Sequence, residues 1–170
     1  MTNFARLLTA AAVVSAFAAT SATAAPVGAS TPATAKAQIV KPLTLTKVQD
    51  LDFGTILLPV VPAAATVTVS SAGVATCTGG TTCAGAPKQA IFNLTGTNNQ
   101  VVRVYSAATN LTNANDSTTI VFTPAPPATV TMPNSGNVGA NFNVGGAIAI
   151  TTTTTDGVYT GNMNVTVDYN

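Results

Sequence analysis

The chain has no histidine, no glutamate and no tryptophan, and only 6% of its 170 residues are charged. Without histidine there is no side chain of ordinary neutral-pH basicity to activate the abundant Ser and Thr hydroxyls. Neither Ser-x-x-Lys nor Gly-x-Ser-x-Gly occurs. Two cysteines and no histidine fall short of the four ligands of a structural zinc site, and five residues between Cys77 and Cys83 is the wrong spacing for a CxxC redox pair. Asp50 and Asp52 are the one close carboxylate pair; with Val48, Leu51 and Phe53 around them they read as a solvated strand edge rather than a general acid or a calcium loop. No enzyme, cofactor or metal is expected. Six Lys and Arg, spread out, give no basic patch for nucleic acid. Three Tyr and six Phe cannot build the aromatic girdles of a membrane barrel.

What is present begins with an export signal. Met1 to Arg6 is a short region with one basic side chain, residues 7–19 are apolar, and Ala22-Thr23-Ala24 fits a small-residue cleavage site. The apolar run is shorter than the ~20 residues a membrane helix needs. No integral membrane segment is therefore expected once residues 1–24 are removed. The exported chain would start at Ala25, and losing Arg6 leaves five basic against five acidic side chains. A neutral, charge-poor surface favours association over repulsion. In an oxidising compartment Cys77 and Cys83 are expected to form a disulfide. So small a ring contributes about 2 kcal/mol and pins a hairpin tip.

Residues 25–35 are rich in Ala, Pro, Ser and Thr and read as a flexible extension. From 36 onward short runs alternate apolar and polar residues between Gly, Pro, Asn and Asp. Strands are expected at 36–46, 50–57, 66–70, 88–95, 100–106, 118–123, 129–132, 141–144 with 147–151, and at the C-terminus. The pair 88–95 and 100–106 reads as a hairpin about Gly96-Thr-Asn-Asn99. Gly145-Gly146 reads as a bulge or bend, and the run Thr151 to Thr155 as β-branched strand filler. Lys36, Lys41 and Lys47 read as charges that blunt an edge strand. No window outside the signal carries a capped helical period. The expected architecture is an all-β antiparallel sandwich over 36–170. In the last stretch Met163, Val165, Val167 and Tyr169 share one face of a strand.

Two groups of residues are more specific. Asp50-Leu-Asp-Phe-Gly54, preceded by Pro42-Leu-Thr-Leu45, resembles the N-terminal signature of the bacterial domain of unknown function 4402 (DUF4402) family. The ending Gly157-x-Tyr159, then Val165-x-Val167-x-Tyr169, resembles the same family and the spore-coat-U and archaic chaperone–usher pilins. Pilins of that kind carry a penultimate aromatic and a glycine fourteen positions from the C-terminus; Tyr169 and Gly157 hold those places here. The resemblance implies an immunoglobulin-like sandwich lacking its last strand, completed first by a periplasmic chaperone and then by the N-terminal extension of the next subunit. It implies a donor segment with Ala33, Ala35, Ala37 and Ile39 pointing inward. It also implies an acceptor strand from Met163 to Tyr169, with Gly157 and Tyr159 in the chaperone-recognition stretch. The expected protein is a pilin-like subunit of a Gram-negative periplasm and cell surface, assembled through an usher into adhesive fibres. The chain departs from archaic pilins in having no cysteine in its first strand and mostly alanine in its donor segment. The alternative is a secreted, monomeric binding module with a complete sandwich, whose loops at 73–87 and 134–141 contact a ligand.

Overall fold

The computed structural model describes residues 24–28, 30–61, 63–134 and 138–170. The expected export signal at 1–24 lies outside them except for its last residue. The chain divides into two units, Met1–Ala37 and Gln38–Asn170. In the first, the described residues are exposed and carry no strand.

The second unit is all-β and antiparallel. Its strands are β1 (Thr44–Gln49), β2 (Thr55–Leu57), β3 (Ala65–Val69), β4 (Ala75–Cys77), β5 (Thr82–Ala84), β6 (Ala90–Thr95), β7 (Val101–Ser106), β8 (Thr109–Asn113), β9 (Thr119–Ala125), β10 (Thr129–Thr131), β11 (Ala140–Ile150), β12 (Tyr159–Thr160) and β13 (Val165–Tyr169). The alternation in the sequence becomes burial. Ala90, Phe92 and Leu94 of β6, Val102 and Val104 of β7, and Ile120 and Phe122 of β9 are buried while their neighbours are not.

One large sheet runs β1-β6-β11-β9-β8-β12, with β3 and β4 continuing beside β11. The second sheet is small, β10-β7-β13. The eleven-residue β11 joins two cores: Ala140–Val144 pairs with β6, while 145–150 pairs with β9 on one side and β3 on the other. The first core (Phe92, Leu94, Val102, Val104, Met132, Phe142, Val144) lies between the two sheets. The second (Val67, Ile120, Phe122, Ile148, Ile150) has no strand of the β10-β7-β13 sheet over it. Instead it is covered by Leu51, Phe53, Ile56 and Leu58, the cystine and Met163, and Phe53 meets Phe122 edge-on at 5.9 Å.

The structure corrects four expectations. β6 and β7 do not form a hairpin; they lie in different sheets, and 96–99 carries the chain across the sandwich. Both strands have one strongly buried face, and separating the sheets lets each face meet the other across the core. Gly145 and Gly146 make no bulge; they sit in continuous strand where β3 ends and the Phe122 ring crosses. A Cβ on Gly145 would fall 2.8 Å from the Ser70 carbonyl carbon. Thr151 to Thr155 is turn, not strand, because its hydroxyls satisfy local groups: Thr154 Oγ1 accepts from the Thr151 amide at 2.9 Å. The stretch 73–87 is no open loop. It holds β4 and β5, and the Cys77–Cys83 disulfide, Cα atoms 5.8 Å apart, ties β4 to β5 rather than closing a hairpin tip. β8 was not foreseen at all.

Candidate functional site

β1 and β13 are edge strands on the same flank of the sandwich. β1 pairs with β6 and β13 with β7, and among the described residues neither has a strand on its other side. Leu43 and Leu45, at and within β1, and Val165, Val167 and Tyr169 from β13 all pack on the first core. One end of the flank is closed by the penultimate residue. The Tyr169 hydroxyl donates to the Lys41 carbonyl at 2.6 Å and accepts from the Thr97 amide at 2.9 Å. The Lys41 amide in turn donates to Thr97 Oγ1 at 2.6 Å, and Gln38 Nε2 donates to Gln100 Oε1 at 3.1 Å.

At the other end, about 17 Å away by strand length, the flank opens into a cleft of about 960 Å³. Its floor is the second core with Phe92, and one wall is Leu51, Phe53, Ile56 and Leu58. The opposite wall is the segment 154–164, including Tyr159 and Met163. Asp50, Asp52 and Lys47 stand at the β1 side. Asp50 pairs with Lys47 at 2.8 Å, both well exposed, an ion pair of little energetic weight. Asp52 Oδ1 accepts from the Gly54 amide at 2.8 Å, and the Asp52 and Lys88 backbones bridge. The pair of aspartates therefore shapes a turn at the mouth.

The 154–164 wall is held by polar groups. Asn113, 1% exposed, donates from Nδ2 to the Asp156 carbonyl at 3.0 Å and to Thr155 Oγ1 at 3.2 Å. Gly157 fits against that amide at φ +146°, where a Cβ would lie 2.6 Å from Asn113 Nδ2. Asp116 accepts from the Thr118 amide and hydroxyl at 2.9 and 2.7 Å and from the Thr155 hydroxyl at 2.7 Å. These bonds, those from Thr118 foremost, hold its carboxyl below the usual range. The Tyr159 hydroxyl donates to the Thr155 carbonyl at 2.9 Å and shares hydrogen bonds with Thr118 and Thr155. Burial opposes its ionisation most strongly, but hydrogen bonds with Thr118, Thr155 and Asn113 together set it below the ordinary tyrosine value.

The residues singled out in the C-terminal stretch thus separate. Val165, Val167 and Tyr169 form β13; Met163 precedes it and reaches both cores. Tyr159 belongs to β12 in the large sheet, paired with Asn113, and Gly157 is the turn before it. Ala33, Ala35 and Ala37 lie in the first unit, exposed and without strand. Ile39, in the second unit, is 91% exposed. The sequence reading missed Asn113, Asp116, Thr118 and Thr155; the Asn/Asp/Ser run at 113–117 was the available signal, a turn cluster following a strand. Part of the 134–141 loop, residues 135–137, lies outside the described residues. Among the described residues no three His, Cys, Asp or Glu side chains converge as a metal site, and no helix is long and apolar enough to cross a membrane.

Fold and site together define a β-sandwich domain with one flank unpaired and an apolar cleft at one end of it. The chain belongs to the family described as Domain of unknown function (DUF4402), whose family model matches residues 43–169. No curated protein and no solved structure matches the chain.

Proposed function

We propose that this protein is an exported structural subunit that polymerises by accepting an extended strand from a second copy into its cleft. The observation that carries the reading is the cleft of about 960 Å³, floored by core side chains and reaching the edge strand β1 at Lys47 and Gln49 and the residues just before β13, Met163 and Asn164. An added strand meets two needs there, supplying partners to open backbone groups and covering apolar side chains.

The occupant is the stretch 25–39 of the neighbouring copy. Ala33, Ala35, Ala37 and Ile39 give it an apolar face, and none of the four is buried within its own chain. The second unit begins at the pole fastened by Gln38, Lys41 and Tyr169, while the cleft opens at the opposite pole. Passing the segment of one copy into the cleft of the next is a head-to-tail contact, which generates a linear fibre wherever its rotation does not close a ring. Delivery across the outer membrane would then need a periplasmic chaperone to occupy the cleft and an usher to exchange it, with adhesion as the role of the finished fibre.

The test compares protein secreted from cells expressing the full chain with a version deleted for 25–35 after the signal. Light scattering on a sizing column, before and after mild heating in detergent, reads the mass of each. The proposal expects a ladder of heat-resistant oligomers from the first and unstable or aggregating monomers from the second. Stable folded monomers from both would mean a self-sufficient sandwich and end the fibre reading in favour of a monomeric binding module.

A further inference from the structure

A second cleft, of about 530 Å³, lies away from the first, where β9 leaves the large sheet. Pro126 and Pro127 follow β9 and have no amide hydrogens to continue its pairing. The side of Ala140–Val144 turned away from β6 therefore has no partner strand among the described residues. The chain crosses to β10 in the other sheet, and the gap between forms the cleft.

Its lining has a definite chemistry. No charged side chain contributes to it. Two amides do, and each is oriented by spending one end on the protein. Asn141 Oδ1 accepts from Asn93 Nδ2 at 2.7 Å, and Asn143 Nδ2 donates to the Ser71 carbonyl at 2.9 Å. That leaves the Asn141 amide as donor and the Asn143 side-chain oxygen as acceptor, without a protein partner among the described residues. The Thr129 and Ser71 hydroxyls add groups able to do both, and the two prolines with Val130 supply an apolar surface.

We infer that this cleft binds a short neutral saccharide. A sugar ring presents hydroxyls that donate and accept at close spacing, matching a fixed donor, a fixed acceptor and two hydroxyls. Its C–H face suits a proline surface, and the absence of charge disfavours sialylated or sulfated rings. The depression is open rather than enclosed, so it would hold a short saccharide against its surface. The inference stands independently of strand exchange, since the two clefts share no lining residue and no residue of the donor segment lines either.

The experiment uses protein secreted from cells expressing the full chain, probed first on an array of uncharged and anionic glycans. Calorimetric titration with the best uncharged glycan then compares wild type, Asn143→Ala and Thr129→Val. Binding to uncharged glycans, weakened about tenfold by either substitution, is the expected result; that is the loss of one net hydrogen bond. Thr129 is exposed on an edge strand, so Thr129→Val decides the matter if Asn143→Ala unfolds. No hit among uncharged glycans, hits confined to anionic ones, or equal affinity in wild type and Thr129→Val would each overturn the assignment. Repeating the titration with the full chain in the presence of excess peptide spanning residues 25–39 separates this site from the strand-accepting one, because saccharide affinity should be unchanged there.

Discussion

The Tyr169 hydroxyl and the Lys41 carbonyl, 2.6 Å apart and 128 positions apart in sequence, join the last strand to the start of the folded unit. The same hydroxyl accepts from the Thr97 amide at 2.9 Å, so one phenol fastens both sheets at a single pole. A penultimate aromatic without a hydroxyl would fill the same volume and lose both bonds. Tyr169→Phe is therefore expected to lower stability by about 1–2 kcal/mol, read as a midpoint shift in urea unfolding with an unchanged slope. No shift would mean that the ring, not the hydroxyl, holds the pole.

Gly157 gives a sharper expectation. Its φ of +146° and the Asn113 side chain, which would lie 2.6 Å from a Cβ, both forbid a larger residue. Gly157→Ala should cost about 2 kcal/mol or more and loosen the 154–164 wall. Hydrogen exchange should localise the loss to that wall and to β8. Gly28→Ala, where no atom lies within 4 Å of the added carbon, is the control and should change nothing.

Acid acts on the same wall through Asp116. Its folded carboxyl sits below the ordinary value of 3.8, held there by Thr118 and Thr155. A depressed carboxyl contributes stability that is complete above the ordinary value and is lost as pH falls through the folded one. Thermal midpoints of wild type should thus drop more steeply below pH 3.8 than those of Asp116→Asn, while the substitution lowers stability at neutral pH. Parallel curves across that window would remove Asp116 from the account.

Much of the sandwich was legible because one face of nearly every strand is buried. Alternation in 90–95, 101–106 and 119–125 translates directly into inward Phe92, Val104 and Phe122. Pairing was not legible in the same way. Nothing local tells β6 and β7 that they belong to different sheets, and a turn-rich Gly96-Thr-Asn-Asn99 suits a hairpin and a crossover equally. The disulfide was visible from spacing, but not that it would tie together two three-residue strands over the second core. The cleft is a relationship between segments about a hundred residues apart, Leu51–Leu58 and 154–164, and periodicity carries no information at that range. Gly157 and Tyr159 stood out by position from the end; their physical partner, Asn113, did not.

The disulfide's placement gives a further expectation. Cys83 pairs across β2–β5 with Ile56, and Cys77 across β3–β4 with Val67. Breaking the bond should free the cover over the second core from the sheet beneath. Replacing both cysteines with serine is expected to cost about 2 kcal/mol and to raise hydrogen exchange in 51–58 ahead of β6 and β7. Uniform exchange across the domain would show that the bond constrains only the unfolded chain.

The donor segment makes the most direct demand on the proposed assembly. Ala35 and Ala37 are exposed and outside any strand, so charging them disrupts no packing within their own chain. In a neighbour's cleft, against Phe53, Ile56 and Phe122, the same charges would sit without partners, and desolvating an unpaired carboxylate is strongly unfavourable. Small side chains also seal weakly, at about 25 cal/mol per Å² of apolar area buried, so enlarging them should act in the opposite direction. Ala35→Asp with Ala37→Asp is expected to abolish the oligomer ladder, and Ala35→Val to make it more heat-resistant. Oligomers that survive the aspartates would have to be held by some surface other than the cleft. A ladder lost equally with aspartate and with valine would mean that the segment's flexibility, rather than its apolar face, is what assembly uses.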